Sequence, residues 1–239
     1  MIRPRITRVT RVALTGADDN TDPKDLVALS NDFPFVEWGI LFSTTRQGTP
    51  RYPTAEWIEA LKPHADKLKM AAHFCGQYTR DTLAGDDKWL VGKEELFQRI
   101  QLNGFKPSDG DVVVQLSHKF GFEFILQTRR EEDLIPTSVV ATKIGKLQSS
   151  ALYDPSGGNG IETTQWPVAP SGLRLGYAGG INPDNVKAVL RSLGNPSPTY
   201  WIDMESGVRT DERFDLTKCR KVLEAWNQWD GGGSWSVRG

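Results

Sequence analysis

Apolar and polar positions alternate over residues 6–14 and the run stops at Thr15-Gly16, a period of two that predicts a strand. Leu26, Val27 and Leu29 follow Asp22-Pro23, and an aspartate cap with proline in the first turn predicts a helix there. The same handover repeats along the chain. Val36–Phe42 predicts a second strand, followed by a loop holding Arg46, Arg51 and Tyr52 and by a helix capped at Thr54 with Trp57, Ile58 and Leu61 on its apolar face. Residues 68–74 predict a third strand, whereas residues 80–93 mix Gly, Asp and Lys with only short helical patterns. A fourth strand is expected over residues 97–102, ending at Asn103-Gly104. Val112, Val113 and Val114 have strand propensity, but Ser108 with Asp111 three residues on is a helix start, so a helix is expected here. Residues 122–127 predict strand five, residues 137–147 a helix begun by Pro136, and residues 150–153 strand six, which runs into Asp154 and the glycine-dense PSGGNG.

Leu173 opens an apolar run that ends in Gly179-Gly180 and is followed by Asn182-Pro183, a strand handing over to a helix capped by Asn182. Residues 200–204 predict the eighth strand, which ends at Ser206-Gly207, and Asp215 caps a last helix reaching about Trp229. Eight strands alternating with helices predict one α/β domain, a (β/α)8 TIM barrel over residues 1–230, with 231–239 as a flexible tail. The 239 residues suit that fold, and 38% hydrophobic with 25% charged residues allows a large core. With a net charge of -1 and dispersed Lys and Arg, no nucleic-acid or membrane partner is expected. The first residues hold no apolar run long enough for a signal peptide or membrane span, so a cytoplasmic protein is expected. Cys75 and Cys219 are the two cysteines, too few for a disulfide framework. Cys219 lies at helical spacing with Leu216, Val222, Leu223 and Trp226, which predicts a packing role. Oligomeric state is not encoded in any of these features.

In such a barrel the site is built at the carboxyl ends of the strands. The residues there are Thr15, Asp18, Arg51, His73, Cys75, Asn103, Gln127, Asp154, Gly179-Gly180 and Ser206-Gly207. Glycine-rich turns after the last two strands offer N–H groups to a phosphate, which predicts a small phosphorylated substrate or ligand. The same glycines also suit turns that stop strands and let chain segments pass closely.

ALTG at strand one, GILF and TPRY around strand two, IQLNG at strand four, LYDPSGGNG at strand six, AGGINPDNV at strand seven and IDMESGV at strand eight occur in one order and spacing. In these the chain resembles phosphoribosylanthranilate isomerase. The resemblance implies an Amadori rearrangement of an aminoaldose phosphate to a ketose, in tryptophan biosynthesis, with neither metal nor organic cofactor. Asp154 falls on the general acid that protonates the sugar ring oxygen so that the ring opens to an imine. Arg51 falls on the arginine that holds the anthranilate carboxylate, for which a planar fork of donors is well shaped. Gln101 and Asn103 fall in a substrate-binding strand end, and Gly158, Gly179, Gly180, Ser206 and Gly207 on the phosphate loops. Asp203 also matches, either as a polar partner inside the barrel or in a catalytic role.

Two positions depart from the family. Thr15 stands where the resemblance expects the cysteine general base, and Asn103 where it expects a histidine. A thiol ionises near pH 8.5, whereas an unassisted hydroxyl is a far poorer base, so the resemblance implies altered or weak isomerase activity. His73 and Cys75 share one face of strand three, and a histidine of ordinary pKa near 6.5 suits base work. A histidine in a barrel wall is more often a hydrogen-bonded structural residue. Asp18 is a third candidate base, or a loop organiser among Asp19, Asn20 and Asp22. Another sugar-phosphate lyase or epimerase, or a silent phosphate-ligand-binding protein, would share the same barrel.

Overall fold

Thr15 ends β1 (Arg8–Thr15), the first of eight parallel strands that close into a barrel in the computed structural model, which describes residues 8–145, 149–163, 165–193 and 199–230. Asp22 accepts a hydrogen bond from the Lys24 N–H, and Pro23 opens α1 (Pro23–Asp32), as the cap and proline predict. The chain continues through β2 (Val36–Phe42), α2 (Ala55–Glu59), β3 (Met70–Phe74), α3 (Gln77–Leu83) and β4 (Arg99–Leu102). It goes on through α4 (Gly110–Lys119), β5 (Glu123–Thr128), α5 (Leu134–Ile144), β6 (Ser149–Tyr153), β7 (Leu175–Tyr177), α6 (Val186–Leu193) and β8 (Thr199–Met204). β8 pairs with β1, aligning Asp203 with Ala13, and so closes the barrel. A short antiparallel hairpin, β9 (Arg209–Thr210) with β10 (Arg213–Phe214), precedes α7 (Leu216–Asp230), whose first N–H groups, from Thr217 and Lys218, are capped by Asp215. No helix is long and apolar enough to cross a membrane among the described residues.

Several boundaries differ from the pattern. Ser108 forms no cap; the Asp109 carboxylate instead accepts the Lys106 N–H, and a short 3-10 turn over Pro107–Asp109 leads into α4. α5 begins three residues before the expected 137, with Pro136 inside the first turn, where its missing N–H forfeits no bond. It ends at Ile144, and the expected end at 147 lies outside the described residues. Asn182 does accept the N–H groups of Asp184 and Asn185, but α6 starts only at Val186, so Pro183 occupies the turn before it. The irregular stretch begins after α3, because Gln77–Leu83 is helical. Strict alternation fails once: between β6 and β7 there is no helix among the described residues, only a long loop. The tail at 231–239 lies outside the described residues.

Side-chain parity divides the buried residues into two layers. Val12, Leu14, Trp38, Ile40, Phe74, Ile202 and their neighbours face the helices in one large cluster. Ala13, Ala71, Ile125, Leu152, Ala178 and Trp201 face the barrel axis in a separate one. Cys219 is fully buried in the outer layer, in the packing role its spacing predicts. At the amino-terminal end of the interior, Arg99 pairs with Glu37 at 2.6 Å and Glu123 at 2.8 Å and stacks 4.4 Å above the Trp201 ring. Truncating one partner of such a buried set costs about 3–5 kcal/mol, because it strands the opposite charge. Trp201 fits only because Gly176 beside it has no side chain, and Thr15 and His73 crowd the Gly39 Cα in the same way. The interior is thus filled from below up to Thr15, and what lies above it is open.

Candidate active site

Above that floor, a cavity of about 790 Å³ opens at the carboxyl ends of the strands. Its size is ordinary for a small-molecule site. Leu41, Gln101, Asp154 and Asp203 line it together with the loops after β2, β6 and β7.

Asp203, on β8, is buried, and its Oδ1 accepts the Thr15 hydroxyl at 2.8 Å. Its other oxygen takes no hydrogen bond among the described residues. Burial pushes the carboxyl up to about 7; the Thr15 hydrogen bond opposes that, and the negative charges of Asp154 and Glu205 add to it. A carboxyl poised there exchanges a proton near neutral pH, which Thr15 by itself does not. Thr15 therefore touches the one group at its position able to act as a base.

Asp154 directly follows β6 and is buried at the cavity wall. Gln127 Nε2 donates to its Oδ2 at 3.0 Å, and Ser156 Oγ and the Gly157 N–H donate to Oδ1 at 2.7 and 3.1 Å. Three donors from two elements fix its orientation. Gln127 itself is held by the Gly104 N–H, so the ends of β4, β5 and β6 form one hydrogen-bonded rim.

Arg51 lines the cavity with φ +79, an uncommon conformation for a non-glycine residue. Its guanidinium does not stand free: Nη1 pairs with Glu205 at 2.9 Å and Nη2 approaches Glu212 at 3.6 Å. Arg46, rather than Arg51, lies over the Tyr52 ring, 5.8 Å from its centroid. Asp18 is not a cavity residue. Its carboxylate receives the Arg51 N–H at 2.8 Å, the Asn20 N–H at 3.1 Å and Arg209 Nη2 at 3.0 Å. Burial would raise its pKa, but these donors outweigh it and hold it below the ordinary value. The arrangement is that of a loop organiser.

His73 and Cys75 both line the cavity, so their shared face does look inward. The imidazole, however, is buried, and burial together with the Arg99 charge lowers its pKa to about 3. It stays neutral and weakly basic at working pH, so the ordinary value near 6.5 does not apply. The Cys75 thiol is pushed up to about 11, chiefly by burial, and accepts a hydrogen bond from Asn103 Nδ2 at 3.1 Å. Gln101 donates in turn to Asn103 Oδ1 at 2.8 Å, so Gln101, Asn103 and Cys75 form a chain along one wall.

Gly158, Gly179, Gly180 and Ser206 also border the cavity. None of the backbone N–H groups of Gly179, Gly180, Ser206 and Gly207 donates a hydrogen bond among the described residues. Those of Gly179, Gly180 and Ser206, at the ends of β7 and β8, border the cavity as unpaired donors of the kind that receive a phosphate. The same glycines permit close passage of chain: a side chain on Gly180 would strike the Glu162 backbone, and one on Gly207 the Ile181 carbonyl. Gly207 itself lies behind the cavity lining rather than in it.

A sequence model of the N-(5'-phosphoribosyl)anthranilate (PRA) isomerase family matches residues 100–225, more than half of the chain. The chain belongs to that family. Among curated relatives, the N-(5'-phosphoribosyl)anthranilate isomerase of Zygosaccharomyces bailii is 33% identical over 96 residues, covering 37% of this chain and 44% of the relative. The alignment thus spans less than half of that relative's length. The solved N-(5'-phosphoribosyl)anthranilate isomerase from Pyrococcus furiosus superposes with a TM-score of 0.56 at 14% identity, over 92% of this chain and 99% of that one. The truncated 3-deoxy-D-arabino-heptulosonate 7-phosphate synthase from Thermotoga maritima superposes at 0.59 with 10% identity, over 95% of this chain and 88% of that one. At such identities the superpositions speak to the barrel alone.

Glu205, Arg129 and Arg209 enter this region without having been singled out in the sequence. Glu205 lies two residues beyond Asp203, so the period of two that turns Asp203 inward also turns Glu205 inward if carried past the strand end. Arg129 follows β5 directly and packs over Gly157. Arg209 reaches the Gly16 carbonyl at 2.6 Å from the short hairpin, whose two-residue strands carry no readable period.

Proposed function

We propose that the chain is an isomerase that converts an N-substituted phosphoribosylamine to the corresponding 1-amino-1-deoxyketose phosphate, an Amadori rearrangement of the kind its family carries out in tryptophan biosynthesis. Asp154 donates a proton to the ring oxygen as the nitrogen lone pair expels that oxygen from C1, giving an open-chain protonated imine. Asp203 then removes the C2 proton; the electron pair passes through the C2–C1 bond to the imine nitrogen, and the resulting enolamine tautomerises to the ketone. Thr15 serves as the positioning residue that fixes the Asp203 carboxylate through its hydroxyl. The phosphate rests on the unpaired N–H groups of Gly179, Gly180 and Ser206, with Gly158 beside them and Gly207 behind them.

The observation that carries this reading is the 2.8 Å hydrogen bond from Thr15 to Asp203 at the point where the family's base is expected. A carboxylate whose conjugate acid has a pKa of about 7 is a stronger base than an ordinary aspartate and is matched to neutral pH. General acid and base groups each contribute ~10²–10⁴-fold, so loss of either carboxylate should be plain in a rate assay.

A carboxyl pushed up to about 7 suits an acid as well as a base, and Asp154 borders the same cavity, which supports a second assignment with Asp203 as the acid and Asp154 as the base. Substrate deuterated at C2 separates the two. With Asp203 as the base, Asp203→Asn should raise the isotope effect on turnover, and Asp154→Asn should leave ring opening limiting with an isotope effect near one. The opposite pattern would exchange the roles. An isotope effect near one in both variants, with wild-type rates, would remove both carboxylates from the mechanism.

A further inference from the structure

Arg51 is the one residue that the family resemblance assigns to a substrate carboxylate, yet its fork is already engaged. Nη1 meets Glu205 Oε1 at 2.9 Å, Nη2 faces Glu212 at 3.6 Å, and the backbone N–H is bound to Asp18. The Arg51 and Glu205 side chains keep about a quarter of their surface exposed, and both line the cavity, so the pair faces the ligand space. The second carboxylate oxygen of Glu205 takes no hydrogen bond among the described residues. Asp154 and Asp203 border the same space. Arg46 and Arg129 line the space as well, but a ligand carboxylate arriving at Arg51 itself would have to break a formed ion pair and then lie against the displaced Glu205 charge. A hydrogen-bond donor arriving there would find an acceptor waiting.

Resting on the isomerase reading above, we propose that Glu205 is a specificity-determining residue: it masks Arg51 and selects an aminosugar phosphate whose nitrogen substituent presents a neutral or cationic hydrogen-bond donor, such as a carboxamide or amine, in place of a carboxylate. In this reading Glu205 meets the aglycone rather than the reacting carbons, while its charge also adds to the raised pKa of Asp203. Discrimination of this kind rests on a repulsive element as much as on a new attraction.

The test uses two unreactive ligands, reduced aminopentitol 5-phosphates carrying on nitrogen either a 2-carboxyphenyl or a 2-carbamoylphenyl group, titrated by calorimetry. The wild-type chain should bind the carbamoyl ligand at least about tenfold more tightly, a difference within reach of one charged contact. Glu205→Gln should remove that preference by a gain in carboxyphenyl affinity, and in turnover it should lower KM for the carboxyphenyl substrate. A wild-type preference for the carboxyphenyl ligand, unaltered in Glu205→Gln, would overturn the inference and leave the isomerase reading standing. Binding of neither ligand would overturn the isomerase reading itself, and this inference with it.

Discussion

Replacing Asp203 by Asn should make the protein more stable, and increasingly so as the pH rises. In the folded chain this carboxyl titrates at about 7, against an ordinary 3.8. A carboxyl with a raised folded pKa holds its proton more tightly in the folded than in the unfolded chain, so its contribution to stability falls as the pH rises from about 4 through about 7. The gap of roughly three pH units, at about 1.4 kcal/mol each, amounts to ~4 kcal/mol of destabilisation once the pH exceeds 7. At pH 4.5 only about 1 kcal/mol of it has developed. Asparagine keeps an acceptor for the Thr15 hydroxyl and carries no charge at any pH, so its own contribution does not change with pH. The advantage of the variant over wild type should therefore grow by ~3 kcal/mol between pH 4.5 and pH 8. Urea unfolding of both proteins at the two pH values measures it, and the other buried acids, common to both, cancel in the difference. A stability difference that does not change with pH would show that Asp203 titrates as an ordinary aspartate, and the reasoning that makes it a neutral-pH base would fail.

Other expectations follow from the same geometry. Asp154→Asn should lower turnover ~10²-fold or more while leaving phosphate-ester affinity nearly intact, because the amide lacks a transferable carboxylic proton; a variant with more than half the wild-type rate would reduce Asp154 to shaping its loop. His73→Gln should leave the pH dependence of kcat/KM unchanged, with a rise through an apparent pKa near 7 that belongs to Asp203, since burial and Arg99 keep the imidazole neutral; loss of that rise would return the base role to His73. Gly180→Val places a side chain against the Glu162 backbone at a φ of +66, so it should displace the loop beyond β6 and weaken binding of phosphate esters; unchanged affinity in calorimetry would remove Gly180 from the phosphate seat.

The barrel was legible because each strand carries its own local signal. β2 runs over Val36–Phe42, just as its apolar run predicts, and the caps at Asp22, Thr54 and Asp215 accept the hydrogen bonds expected of them. The hairpin at Arg209–Phe214 was not legible, since its two-residue strands are too short to show a period and are held by tertiary contacts such as Arg209 with Gly16 and Asp18. At the site, residue types and motif positions were readable, whereas proton affinities and pairings were not. His73 looks like a base in sequence, and it is Arg99 and burial in the barrel that make it a poor one. Asp203 reads equally as a polar partner inside the barrel or as a catalytic residue, and its titration depends on Thr15, Asp154 and Glu205, which come together only when the barrel closes. Arg51 could be located by its motif, but its partner Glu205 lies 154 residues away, and no local pattern reports such a pair.

Turnover tests the isomerase proposal most directly. Purified chain, given freshly formed phosphoribosylamines bearing a 2-carboxyphenyl or a 2-carbamoylphenyl group, is assayed for the 1-amino-1-deoxyketose phosphate product beside Asp203→Asn. Protein-dependent formation of the ketose, lowered ~10²-fold or more in Asp203→Asn, is the expected result. No protein-dependent conversion of either compound, or an undiminished rate in Asp203→Asn, would contradict it.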